Sequence, residues 1–192
     1  CVWALNDGHE VPYGAEVVKR FSFKYAYYLA VSKYFVFNVR QPLWYRKREG
    51  QVFVETWHGT PLKRLVFDQE EVTSASPKYK QQFYRQRQEW DYLVSANPFS
   101  TKTFRSCFMY EGKMLEYGYP RNDILYWPNK DEIAKDLRKK LGIPEDKKTI
   151  LYAPTWRDDE HYGKGEYKFT LALDLKLMME KLSDEYVVLL RT

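Results

Sequence analysis

The segment Phe53-Val54-Glu55-Thr56-Trp57-His58-Gly59-Thr60-Pro61-Leu62-Lys63 places a titratable side chain at the end of an apolar, β-prone run. Histidine exchanges protons near neutrality, with an ordinary pKa of about 6.5. His58 can therefore act as a general base or as a phosphate-contacting donor. Its other reading is a turn cap that hydrogen-bonds backbone. Gly59 lets a ligand approach the main chain closely. Thr60 and Pro61 suit the start of a helix, whose first N–H groups form an anion site.

Two further strand ends carry polar groups. In Glu116-Tyr117-Gly118-Tyr119-Pro120-Arg121-Asn122-Asp123-Ile124-Leu125, Arg121 can grip a phosphate bidentately. Asn122 and Asp123 there read either as ligand contacts or as caps of the next turn. In Leu151-Tyr152-Ala153-Pro154-Thr155-Trp156-Arg157-Asp158-Asp159-Glu160, Thr155 and Arg157 suit a diphosphate, and Trp156 either stacks on a base or packs. The three acids that follow read as a solvated loop rather than a metal site. His161 is read into the same polar loop and His9 into an early one. Trp44-Tyr45-Arg46-Lys47-Arg48 reads as a solvated loop, with phospholipid heads or a polyanionic acceptor as its functional alternative. No GxSxG elbow, P-loop or Cys/His zinc spacing occurs, and neither a metal nor a cofactor is expected.

The elements that position these residues follow from periodicity and punctuation. Val2–Leu5 reads as a strand end followed by a loop. A helix is expected over 22–33 with Ser22 as its cap, then strands over 34–38 and 51–57 separated by a polar loop at 40–50. Helices are expected over 61–67, 78–90 and 100–110, and strands over 91–95 and 114–117. This alternation favours a parallel sheet covered by helices. A charged helix over 131–140 and the break Gly142-Ile143-Pro144 place a boundary near 127–146. Beyond it come strands over 149–153 and 186–190 and a helix over 173–182, a unit of two strands that reads as half a domain.

The chain has 192 residues, 44% of them hydrophobic, enough for a real core and too many for a disordered tail. Cys1 and Cys107 are too few for a disulfide framework, which fits a reducing, cytosolic setting. No stretch approaches the roughly 18 apolar residues of a membrane span. A net charge of +5 with 17 Tyr, 11 Phe and 6 Trp suits nucleic acid, an anionic membrane surface or a phosphorylated substrate. Scattered basic residues without a binding motif set nucleic acid aside. A start at Cys1 and an end just past an apolar strand lead to the expectation of an excised fragment.

Val2-Trp3-Ala4-Leu5-Asn6, Ser32-Lys33-Tyr34-Phe35 through Asn38, Thr56 to Lys63, Trp90-Asp91-Tyr92-Leu93-Val94-Ser95, Gly118 to Asp123 and Tyr152 to Asp158 occur in this order. Over nearly its whole length the chain thus resembles the CDP-glycerol glycerophosphotransferase family, which builds teichoic acid polymers on the bacterial cytoplasmic membrane. The resemblance implies an α/β fold of the GT-B type, two Rossmann-like domains with parallel sheets. Residues 1–127 would be a partial acceptor-side domain, 128–148 a linker and crossover helix, and 149–192 the start of a truncated nucleotide-binding domain.

The implied reaction moves glycerol phosphate from CDP-glycerol to a hydroxyl of a lipid-linked glycerol phosphate acceptor and releases CMP, peripherally on the cytoplasmic side of the membrane. By the same resemblance His58 is the catalytic base. Asn38, Gly59, Thr60, Lys63, Arg121, Asn122, Asp123, Thr155, Arg157 and Arg191 are expected to bind substrate. The family's second functional histidine follows an arginine that Arg191 resembles; it would lie just past Thr192, leaving this chain alone inactive. Three other readings stay open: another CDP-alditol such as CDP-ribitol as donor, a nucleotide-sugar glycosyltransferase, and a non-catalytic polymer-binding module.

Overall fold

The computed structural model describes residues 1–6, 11–70, 76–154, 161–163, 166–167, 171 and 173–191. The chain divides into two units, Cys1–Pro120 and Arg121–Thr192. Both are α/β with parallel strand pairing, the expected fold class.

The first unit opens with β1 (Val2–Leu5), which pairs in parallel with β2 (Glu16–Lys19). Helix α1 (Phe23–Val31) follows; its cap Ser22 accepts a hydrogen bond from the Tyr25 N–H at 3.2 Å, and Tyr25 and Leu29, one turn apart, are buried. Next come β3 (Tyr34–Phe37), β4 (Val52–Glu55), α2 (Tyr79–Arg87), β5 (Tyr92–Ser95), α3 (Pro98–Cys107) and β6 (Lys113–Glu116). Strands β3 to β6 form one four-stranded parallel sheet in sequence order.

Its core is aromatic. Phe53 on β4 lies 4.8 Å from Phe37 and 6.4 Å from Phe35 on β3, ring centre to ring centre. On the helical side Phe83, Phe104, Cys107 and Phe108 are fully buried. Phe104, Cys107 and Phe108 recur at i, i+3 and i+4, the spacing that turns one helical face inward. Asn97 caps α3 by accepting from the Ser100 N–H at 2.8 Å, with Pro98 at the first helical position.

The connection from β3 to β4, residues 38–51, contains no helix. A side-chain amide instead ties it to the end of α1 and satisfies backbone groups on both. Gln51, nearly buried, donates to the carbonyls of Leu29 (3.1 Å) and Ser32 (2.8 Å) and accepts from the Arg48 N–H (2.8 Å). The basic-aromatic run, expected to be a solvated loop, is half built in. Tyr45 is buried, and Lys47 pairs with Asp91 at 2.6 Å, while Trp44, Arg46 and Arg48 are exposed. Asp91 also accepts from the Phe53 N–H at 2.7 Å, clamping the start of β5 to β4.

The second unit begins with the body of a 3-10 helix, Pro120–Tyr126, followed by α4 (Lys130–Lys140), β7 (Lys148–Tyr152), β8 (His161–Gly163), β9 (Glu166–Tyr167), α5 (Leu175–Leu182) and β10 (Tyr186–Leu190). β7 and β10 pair in parallel, β8 and β9 antiparallel.

Three expectations are corrected. Residues 61–67 form no helix; only a 3-10 turn, Val66–Asp68, follows. Pro61 and Val66 are both buried, and five residues apart they cannot share one helical face. Val66 also sits at φ 39°, outside helical geometry. Strand β2 went unread because only Val17 and Val18 mark it, too short a run to show a period. Among the described residues the second unit has four strands rather than two, since β8 and β9 add a hairpin, and His161 opens β8 instead of lying in a polar loop.

Candidate active site

The site in the first unit forms where β4 ends. The Thr56 N–H still donates to the Phe37 carbonyl at 2.7 Å, one step beyond the regular ladder. Trp57 then adopts φ 54°, the left-handed region that costs a non-glycine residue about 1 kcal/mol or more. Its N–H donates to the Glu55 carboxylate oxygen Oε1 at 3.0 Å, and its ring packs 4.7 Å from Phe108. The reversal sends the indole into the aromatic core and leaves the next side chain above it. The His58 imidazole stacks on Trp57 with ring centres 4.3 Å apart and planes 27° from parallel.

Stacking fixes the plane of the imidazole; a hydrogen bond fixes its rotation. His58 Nδ1 lies 2.8 Å from the Asn38 carbonyl oxygen, at the end of β3. A carbonyl oxygen only accepts, so in the neutral ring Nδ1 carries the hydrogen and Nε2 the lone pair. Asn38 thus contributes its backbone to this site. Gly59 is held from another side: the buried Tyr119 donates its phenol hydrogen to the Gly59 carbonyl at 2.8 Å. Tyr119 follows Gly118, whose φ of +88° turns the chain at the end of β6 and whose N–H donates to Ser95 at 3.1 Å. A side chain added at Gly59 would meet nothing within 4 Å among the described residues, so this face of the turn is open.

Beneath the turn lies Glu55, with no solvent exposure. Burial pushes its carboxyl up to about 8, only partly opposed by the Trp57 N–H, and among the described residues its second oxygen, Oε2, has no hydrogen-bond partner. The composition hid this residue in an apolar run. Its period-two spacing from Phe53 was the available signal, since alternate residues of a strand share a face.

Beside His58 a groove of about 590 Å³ opens, lined in part by Arg20, Arg40, Trp57, Tyr79 and Gln82. Arg20 and Arg40 belong to separate connections, and no local pattern announces them.

The remaining expected site residues are distributed as follows. Thr60 and Lys63 are exposed in the helix-free segment after Gly59, where the Leu62 N–H donates to the Thr60 carbonyl at 2.9 Å. Without a helix there, the expected anion site at a helix start is absent. In the second unit Arg121, Asn122 and Asp123 are exposed along the Pro120–Tyr126 3-10 helix. Thr155 and Arg157 lie outside the described residues, as do Trp156, the acids 158–160 and His9. The Arg191 N–H donates to the Tyr152 carbonyl at 3.0 Å, extending the β7–β10 ladder by one step at its carboxyl edge. Among the described residues no group of three or more His, Cys, Asp or Glu is placed to hold a metal ion.

The family model described as CDP-glycerol:poly(glycerophosphate) glycerophosphotransferase matches residues 1–192. The teichoic acid poly(glycerol phosphate) polymerase of Bacillus spizizenii is 45% identical over 190 residues, covering 97% of this chain and 47% of that protein. The teichoic acid glycerol-phosphate transferase of Staphylococcus aureus is 40% identical over 202 residues, covering 99% of this chain and 51% of that protein. The chain spans about half the length of these relatives. A solved structure of the wall teichoic acid polymerase TagF superposes with a TM-score of 0.88 at 45% identity, over 99% of this chain and 48% of that one. A histidine variant of TagF soaked with CDPG gives 0.87 at 44% identity, over the same shares.

Proposed function

The chain belongs to the CDP-glycerol:poly(glycerophosphate) glycerophosphotransferase family, and from that premise we propose that its complete gene product transfers glycerol phosphate from CDP-glycerol to a hydroxyl of a lipid-linked glycerol phosphate acceptor. His58 Nε2 takes the proton of the attacking hydroxyl. One bond forms, from that oxygen to the glycerol-bearing phosphorus of the donor. One bond breaks, from the same phosphorus to the oxygen that bridges it to cytidylate, and CMP leaves with the electron pair.

The observation that carries this reading is the 2.8 Å contact between His58 Nδ1 and the Asn38 carbonyl. It selects the tautomer a general base needs and holds the ring against rotation. Phosphoryl transfer gains mainly from positioning and from neutralising charge on the oxygens of the transferred group. Residues 1–127 take the acceptor side in this proposal, with Thr60 and Lys63 near the reacting group. Residues 128–148 link to a nucleotide-binding portion, 149–192, whose Thr155, Arg157 and Arg191 serve the donor, and Arg121, Asn122 and Asp123 also bind substrate.

The lipid on the acceptor brings the reaction to the cytoplasmic face of the bacterial membrane, with peripheral attachment. Among the described residues no helix is long and apolar enough to cross a membrane. The exposed Leu43, Trp44 and Arg46 are the surface proposed to meet headgroups.

The test is CMP release from CDP-glycerol with a lipid-linked glycerol phosphate acceptor, comparing the complete gene product with its His58→Ala variant. Release that the variant abolishes supports the reading. No release by the unaltered protein overturns the donor assignment, and undiminished release by the variant removes His58 as the base.

A further inference from the structure

Two guanidinium groups line the groove beside His58, and neither is neutralised. Arg40 Nη1 donates to the amide oxygen of Gln86 at 3.3 Å, and its guanidinium carbon lies 5.0 Å from the ring centre of Tyr79 and 5.4 Å from that of Phe83. Arg20 lies 5.1 Å from the ring centre of Phe21. Among the described residues neither forms an ion pair with a carboxylate. Arginine cannot shed its charge, so two half-buried guanidiniums on neutral partners leave a positive groove.

The groove wall is also prebuilt. Gln41 and Gln86 are nearly buried. Gln41 accepts from the Tyr25 hydroxyl at 2.9 Å and donates to the Val39 carbonyl at 3.2 Å, and Gln86 donates to the Gln41 carbonyl. These amides tie the 39–42 segment to α1 and α2, so Arg40 projects from a fixed backbone. Phe21 and Trp57, both lining the groove, hold left-handed φ values of 63° and 54°. Strained non-glycine backbone persists where surrounding structure enforces it, and such positions concentrate at ligand sites.

We propose that Arg20 and Arg40 bind a phosphodiester of the acceptor chain, the one preceding the hydroxyl that reaches His58. This assignment rests on the reaction proposed above. A phosphodiester is a singly charged anion with two unesterified oxygens, which matches the paired N–H donors of a guanidinium. The polyol on either side of it suits the amide and phenol groups of Gln82 and Tyr79. The site would recognise the growing end of a phosphodiester-linked polyol by its last internal phosphate, not by its lipid.

The test uses the complete gene product and a soluble glycerol phosphate trimer, with binding measured by calorimetry in the absence of CDP-glycerol. Arg20→Gln and Arg40→Gln should each weaken trimer binding about ten-fold, the scale of one charge-assisted hydrogen-bonding group. In turnover they should raise KM for the trimer while KM for CDP-glycerol stays within about two-fold. Arg20→Gln carries the test alone if Arg40→Gln, which leaves two aromatic faces bare, melts below the assay temperature.

Trimer affinity unchanged in the folded variants overturns the proposal. So does a rise in KM confined to CDP-glycerol, or a loss of binding confined to phosphatidylglycerol vesicles. An unaltered protein that binds trimer through both arginines yet releases no CMP keeps this site and loses the reaction. Release of CMP with arginine-independent trimer binding keeps the reaction and loses the site.

Discussion

The phenol of Tyr119 holds the carbonyl of Gly59 at 2.8 Å across a sequence separation of 60. One strand-end loop thereby sets the position of another, and the imidazole of His58 is one residue from the clamp. Tyr119→Phe removes the hydrogen bond and keeps the buried ring. The expected loss of stability is about 1 kcal/mol by chemical denaturation. CMP release should fall further than that figure implies, with kcat carrying the loss, because the turn bearing His58 is released. An unchanged kcat would show that the turn holds without the clamp.

Glu55 gives the fold a pH dependence whose sign is fixed. Its carboxyl is raised from 4.5 to about 8 by burial, so the folded chain binds this proton more tightly than the unfolded one. The associated stability is fully present below 4.5 and is lost as the pH rises through about 8. Glu55→Gln keeps an oxygen for the Trp57 N–H and cannot ionise. Its stability should vary less between pH 5 and 9 than that of the unaltered chain, by an amount on the order of a few kcal/mol across the window. Parallel curves for the two proteins would remove Glu55 as the source.

Gly59→Ala separates a structural glycine from one that leaves room for a ligand. Its φ is not in the left-handed region and an added methyl meets no described atom. Stability should change by less than about 0.5 kcal/mol. If substrate approaches the main chain here, transfer should drop about ten-fold or more, since a small displacement of reacting groups is costly. A variant as active as the unaltered protein places substrate elsewhere.

Asp91 clamps β4 to β5 through the Phe53 N–H and pairs with Lys47. Asp91→Ala should cost about 2 kcal/mol, because a strand N–H and an ammonium lose their acceptor together. Lys47→Met should cost less than about 1 kcal/mol, as partly exposed ion pairs contribute little. Equal losses in thermal melting would assign the clamp to the ion pair instead.

The elements legible in the sequence were those with strong punctuation and a long period. Ser22 before α1 announced a helix start, and the apolar runs at 34–37 and 186–190 announced strands; Asn97-Pro98 read as a turn, with the helix expected only from 100, although it caps and opens α3. The 61–67 segment misled because Thr60-Pro61 imitates a helix start, whereas burial of Pro61 and Val66 decides its course. That decision is tertiary and leaves no local trace. At the site, His58 was legible from its place at a strand tip. Its orienting partner was not, because the Asn38 contribution is a backbone carbonyl, which every residue possesses. Arg20 and Arg40 were illegible for a different reason: they meet only when the β2–α1 turn and the β3–β4 connection are folded onto one groove.

That β3–β4 connection lacks a helix, yet three of its main-chain groups are met by nearly buried amides: Gln41 takes the Val39 carbonyl, Gln86 the Gln41 carbonyl and Gln51 the Arg48 N–H. In energetic terms the segment is a loop pinned at three buried points, Gln41, Tyr45 and Gln51, with exposed residues between them. Opening it should require undoing α1 and α2 contacts, so the Arg48 amide hydrogen, held by Gln51, should exchange with solvent more slowly than the amides of an unpinned loop. A chain selected for tighter or looser acceptor handling would therefore change at the groove rim, where side chains are replaceable, and leave the three glutamines alone.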